Sequence, residues 1–132
     1  MAAKKFTLGR NERLKSRKSI EQLFSKGRSI SFPPFRVFYE PTTAELRFGV
    51  GVSAKQFKKA VDRNRIKRLT REAWRLQKIP LQEKLKSGNR GMIVFFTYGG
   101  KELPGYKTVY DATRLIVNKL LKIIDENGTP DS

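Results

Sequence analysis

The chain has no cysteine and no histidine among its 132 residues. Without cysteine there is no disulfide and no thiolate metal site, which fits a reducing compartment. Without histidine, the commonest general base and the commonest metal ligand are missing together. Carboxylates are few as well, 12 Asp and Glu in all, and they are scattered. No D-x-D or E-x-x-E cluster could hold a pair of magnesium ions. A self-contained nuclease site is therefore not expected, and no residue is assigned a catalytic or metal-binding role. Long apolar runs are absent too. The longest, Met92 to Phe96, is strand-sized, against the ~20 residues that span a bilayer. No apolar segment follows Met1, so the expectation is a cytoplasmic protein with neither secretory signal nor membrane partner.

What the chain has in excess is positive charge: 29 Lys and Arg give a net +17. Self-repulsion on this scale is best relieved by a polyanion, so nucleic acid is the leading partner and an anionic membrane the competitor. The membrane is disfavoured because no helix pairs a basic face with exposed aromatics. The length suits one domain with a single modest core. Residues 1–15 read as a basic arm ordered by its partner, 16–126 as the domain, and 127–132 as a fraying end.

The charge concentrates in Ala60 to Leu76, a stretch with no Gly and no Pro. Wound at about 100° per residue, it places Ile66, Leu69, Thr70, Ala73, Leu76 and Gln77 in one sector. Arg63, Asn64, Lys67, Arg68, Arg71 and Arg75 fall in the adjoining one. The prediction is a helix with one face in a core and the other cationic. A merely solvated face would mix signs, and here only Asp62 and Glu72 oppose the cations. Arginine's planar fork of donors suits phosphate recognition better than solubility requires.

Around this helix the chain reads in order. A first helix is expected from Ser16 or Ser19, with Ser19 and Gln22 resembling a capping box and Gly27 as the stop. It places Ile20, Leu23 and Phe24 on one face, either all in the core or with Phe24 bordering a groove. Arg28 to Pro34 reads as a loop. Phe35 to Glu40 alternates as a strand, and Phe38 falls on the face that should be wet. An aromatic beside Arg36 there can be a stacking platform for unpaired bases or edge packing under the first helix. Leu46 to Ser53 is a second strand, with Gly49 and Gly51 leaving one face open for a partner or for a packed helix. Ala54 to Lys59 is a basic connection. Lys78 to Asn89 reads as polar, with Pro80 breaking the helix. Gly91 to Tyr98 is the third strand, apolar enough to be central. A last helix runs from Lys107 to Asp125. This order implies an α+β sandwich of one sheet under packed helices, while periodicity leaves strand order open.

Arg63-Asn64-Arg65-Ile66-Lys67-Arg68, following Lys59-Ala60-Val61 and preceding Arg71-Glu72, resembles the signature of the bacterial ribonuclease P protein component. Arg13-Leu14-Lys15, Phe24 with Gly27, and the strand Leu46 to Ser53 are similar to that family as well, so the resemblance spans roughly residues 10 to 125. Gln56-Phe57-Lys58 stands where many members have a glycine, and Ile20 where some have an aromatic.

The resemblance implies a two-layer, ribosomal-protein-like sandwich of one mixed sheet, with a left-handed βαβ crossover through the central helix. It implies a partner, the catalytic ribonuclease P RNA, and a substrate, precursor tRNA, cut endonucleolytically to free the mature 5′ end. The RNA would perform the hydrolysis, with Mg2+ held mainly by the RNA subunit and substrate phosphates. No protein partner is implied. Carried over by position, Arg63, Asn64, Arg65, Lys67 and Arg68, extended to Arg71, would contact the RNA subunit. Phe24, Phe38 and Ser53, with Lys55 nearby, would hold the single-stranded 5′ leader. The alternative is a non-catalytic RNA-binding protein of the same sandwich class, such as a ribosomal protein or an RNA chaperone, which would need no leader cleft.

Overall fold

The computed structural model describes residues 17–43 and 45–127, so the basic arm, with Ser16, and the end beyond 127 lie outside the described residues. In chain order the elements are α1 (Arg17–Lys26), β1 (Arg28–Phe32), β2 (Phe35–Thr42), β3 (Arg47–Val52), α2 (Ala60–Gln77), α3 (Ile79–Ser87), β4 (Gly91–Tyr98) and α4 (Tyr106–Asn127). The four strands form one sheet in the order β1-β2-β4-β3. β1 and β2 pair antiparallel, as do β2 and β4, while β3 runs parallel to β4. A parallel pair cannot be closed by a tight turn, so the chain leaves β3, crosses through α2 and α3, and returns along β4.

Alternation along the strands sorts the two faces. Phe35, Val37 and Tyr39 of β2, Phe48 and Val50 of β3, and Met92, Val94, Phe96 and Tyr98 of β4 are buried together. Over them lie Ile66, Ala73 and Trp74 of α2, Leu81 and Leu85 of α3, and Val109, Ile116 and Leu120 of α4. Trp74 stacks on Phe48, centroids 4.5 Å apart, and meets Phe96 edge-on at 5.7 Å. The buried hydroxyls of Thr70 and Thr113 donate to the carbonyls of Ile66 and Val109, so neither is an uncompensated polar group. The opposite face carries a second, smaller cluster of Leu23 and Phe95 with Ile20, Phe38 and Ile93, which places α1 there.

Two expected irregular stretches are regular elements. Arg28 to Phe32 is a strand rather than a loop, the outer half of a hairpin whose turn is the cis-linked Pro33–Pro34. Ile30 and Phe32 pack against the main core, an alternation too short to register beside a proline pair. Pro80 does not interrupt Lys78 to Asn89 but sits in the first turn of α3. Its missing N–H is no loss there, because first-turn donors have no helical partner. Lys78 serves both helices, capping the end of α2 with its N–H on the Trp74 carbonyl and preceding α3.

Several boundaries and faces shift as well. α1 starts at Arg17, upstream of Ser19, so Ser19 is not its N-cap. The buried stripe of α2 is Ile66, Thr70, Ala73 and Trp74, whereas Leu76 is 40% exposed. The helix is thus rotated toward its indole, because a tryptophan facing Phe48 and Phe96 buries more apolar area than a leucine would. Phe57, within the stretch expected to be a basic connection, is buried against Tyr98 at 5.9 Å. On α4, Leu115 is half exposed although its neighbours Ile116 and Val117 are buried.

Candidate nucleic-acid interface

With the core stripe set by Trp74, the outward positions of α2 follow from its 3.6-residue period. Asn64, Arg65, Arg68 and Arg71 are exposed on the side away from the sheet. Asn64, Arg65 and Arg68 surround a depression that also includes Leu69 and Val61, itself 75% exposed. Lys67 and Arg63 are half-buried on the flank nearer the connection from β3. Arg63 turns back on its own helix start, and its Nη1 donates to the carbonyls of Phe57 at 2.7 Å and Lys58 at 2.9 Å. The six residues expected at an RNA-subunit contact therefore share one helix but not one environment.

At the far end of α2, Arg75 is held by Glu72 through its Nε at 3.1 Å and through a second, charge-paired contact from Nη2. The hydrogen bond from Arg75 holds the Glu72 carboxyl below its ordinary range. Burial pushes the Tyr106 phenol upward, with a further push from the Glu72 charge.

The second candidate surface is the sheet face under α1. Phe24 and Phe38 lie 4.8 Å apart, and Phe24 meets Phe95 edge-on at 5.5 Å. Phe95 is directly opposite Phe38 in the β2–β4 register. Leu23 is fully buried beneath α1, while Phe24 is 46% exposed and Phe38 half-buried. Phe38 therefore packs under the first helix against Phe24, and both rings stay partly exposed. The Arg36 guanidinium sits 5.4 Å from the Phe38 centroid, a cation–π contact.

The glycines of β3 complete this face. Gly49 pairs with Phe95 and Gly51 with Thr97. A Cβ at Gly51 would come within 3.0 Å of the Phe95 ring, so the missing side chain makes room for that ring. The row Arg36, Thr97, Gly51 carries only one large side chain, and Thr97 Oγ1 donates to the Arg36 carbonyl at 3.0 Å. Ser53 and Lys55 are exposed in the connection leaving β3 rather than in the ring cluster. That connection is ordered by the Lys55 N–H on Ser53 Oγ at 3.2 Å and the Phe57 N–H on the Ser53 carbonyl at 3.0 Å.

The main residue that sequence reasoning missed on this face is Phe95. Two adjacent phenylalanines in a central strand put one ring on each face, and that pairing was the available signal. Among the described residues no group of three or more His, Cys, Asp or Glu is placed to hold a metal ion. The arrangement thus offers cations that can meet phosphates and partly exposed aromatic rings beside them.

Residues 8–120 match the family model for ribonuclease P. The chain is 38% identical over 108 residues to the ribonuclease P protein component of Porphyromonas gingivalis, covering 79% of each. It is 37% identical over 92 residues to the namesake from Nitrosococcus oceani, covering 69% of this chain and 72% of that one. The RNase P protein from Thermotoga maritima has a similar fold, with TM-score 0.63 at 23% identity, covering 82% of this chain and 96% of that one. The Staphylococcus aureus RNase P protein superposes with TM-score 0.59 at 24% identity, covering 85% and 94%.

Proposed function

Since the chain belongs to the ribonuclease P protein family, we propose that it brings the catalytic RNA and the 5′ leader of precursor tRNA together on two faces of one small domain. Family membership makes it a protein component of ribonuclease P, associated with the ribonuclease P RNA and acting in tRNA processing. In the proposed reading the RNA subunit performs the endonucleolytic step, and Mg2+ would be held mainly by the RNA subunit and substrate phosphates. Arg65, Lys67, Arg68 and Arg71 on α2 neutralise backbone phosphates of the RNA subunit, Asn64 hydrogen-bonds among them, and Arg63 adds charge at their edge. Phe24 and Phe38, backed by the buried Phe95 and flanked by Arg36, stack unpaired leader bases, with Ser53 and Lys55 at the end of the path.

One observation carries this reading. On the sheet face opposite the main core, the partly exposed rings of Phe24 and Phe38 pack on the buried Phe95, beside an open row headed by an arginine. Aromatic rings that stack on bases tolerate any sequence, as a leader-binding surface must. Mature tRNA has no leader, so the surface favours substrate over product. Among the described residues no helix is long and apolar enough to cross a membrane, and we place the reaction in the cytoplasm.

The test is cleavage of a leader-bearing precursor tRNA at low millimolar magnesium by the cognate RNA, with and without this chain. Protein-dependent cut at the mature 5′ end is expected. RNA binding without any stimulation would reduce the chain to a passive RNA binder.

A further inference from the structure

Arg63 lies within the basic signature, where charge alone marks it as a phosphate contact, but its position on α2 is the flank toward the β3–α2 connection. α2 begins after Lys59, which supplies no side-chain cap. The Arg63 backbone N–H already bonds the Lys59 carbonyl at 3.2 Å, and its Nη1 reaches further back to the carbonyls of Phe57 and Lys58. Those two carbonyls belong to a segment tied down at three more points. The Phe57 ring is buried beside Tyr98, the Phe57 N–H bonds the Ser53 carbonyl, and the Lys55 N–H bonds Ser53 Oγ. The result is a compact turn carrying Lys55, Lys58 and Lys59, all exposed, between the open sheet face and the cationic helix.

We infer that Arg63 is a positioning residue: its guanidinium staples the 53–59 turn to α2 and so fixes Ser53 and Lys55 against the helix that holds the RNA subunit. A charge-assisted hydrogen bond to a carbonyl is stronger than a neutral one. Two from a single nitrogen bind the turn to the first turn of α2, so the two surfaces cannot shift independently. Without the staple the turn is held by Phe57 and Ser53 alone. Lys55 then samples positions off the leader path, while the charges that face the RNA subunit stay in place on the helix. This rests on the proposed leader-binding role of the sheet face.

The experiment compares wild type with Arg63→Lys, which keeps the charge on a shorter arm without the fork, and Arg63→Met, which removes it. In the free protein, hydrogen exchange is followed at the Lys55 and Phe57 amides. In the reconstituted holoenzyme, binding of leader-bearing precursor and of mature tRNA is measured, together with the salt dependence of RNA-subunit binding. The expected result is about ten-fold faster exchange at both amides in Arg63→Met, the lower end for hydrogen bonds to a charged group. Arg63→Lys should show a smaller increase in exchange. It should also show a several-fold loss of preference for the leader-bearing precursor at an unchanged salt slope. If Arg63→Met does not fold, Arg63→Lys alone decides.

Unchanged exchange in both variants overturns the staple. Faster exchange with the leader preference of Arg63→Lys intact overturns its role in leader binding. A wild-type holoenzyme with no leader preference defeats the functional reading, and the exchange data then report on the staple separately.

Discussion

Replacing Phe38 with leucine removes a ring face while keeping an apolar side chain of similar reach. In the folded protein the change loses an aromatic pair with Phe24 at 4.8 Å and the Arg36 contact at 5.4 Å. The first is worth about 0.5–1.5 kcal/mol and the second, at a partly exposed site, about 0.5–1 kcal/mol. Leucine still covers Leu23 and Phe95, so the domain stays folded against a typical reserve of ~5–15 kcal/mol. Function should suffer more selectively. A base stacked on an aromatic contributes ~1–3 kcal/mol, which corresponds to roughly 5–150-fold in affinity. Phe38→Leu holoenzyme should therefore bind leader-bearing precursor at least about 5-fold more weakly, with mature tRNA affinity unchanged. Equilibrium binding of both RNAs, paired with a thermal melt of the free protein, makes the measurement. A wild-type ratio of the two affinities in a properly folded Phe38→Leu protein would refute the stacking argument, and an equal loss for both RNAs would show a structural effect instead.

Three further outcomes are expected from other parts of the molecule. Lys67→Ala should lower the slope of log K against log salt for RNA-subunit binding by roughly 0.7–0.9, with little change in melting temperature; an unchanged slope removes Lys67 from the interface. Trp74→Ala deletes a ring that is almost fully buried between Phe48 and Phe96, so it should cost about 3–5 kcal/mol and lower the melting temperature by about 10–20 °C. A loss below about 1 kcal/mol in denaturant unfolding would mean that the indole is not a core element. Burial, and then the Glu102 charge, push the Tyr98 phenol above its ordinary value of 10.0. In the unfolded chain that phenol ionises normally. Its contribution to stability is therefore complete below about pH 10 and is lost as pH rises through the raised native value. Tyr98→Phe should flatten that alkaline limb, and identical limbs in the two proteins would contradict the assignment.

The basic helix, the three longer strands and the last helix are legible in the residue order because their signals are local. A period of 3.6 or 2, or an unbroken apolar run, held over five or more residues needs no knowledge of what lies opposite. β1 and α3 escape for the complementary reason. Only Ile30 and Phe32 mark β1 as a half-buried strand, and their meaning comes from pairing with β2 and packing on the core. Pro80 reads as a breaker or as a helix start depending on where the preceding helix stops, and that is set by Lys78 and the packing of Trp74.

The candidate surfaces divide in the same way. The density of cations on one helix, the lack of histidine and clustered carboxylates, and the R-N-R-x-K-R spacing are properties of the chain itself. They point to an RNA partner and to the family without any coordinates. Amphipathicity and alternation single out Phe24 and Phe38, and the family resemblance assigns them to the leader. Tertiary structure decided that they meet 4.8 Å apart, that Phe95 joins them, and that Gly51 makes room for its ring. It also separated Arg63, whose donors meet backbone carbonyls, from exposed neighbours of the same charge. Charge and periodicity are summed along the chain and survive in the sequence. Which ring faces which, and which donor meets which acceptor, depends on strand order and helix rotation, set by contacts between residues far apart in the chain.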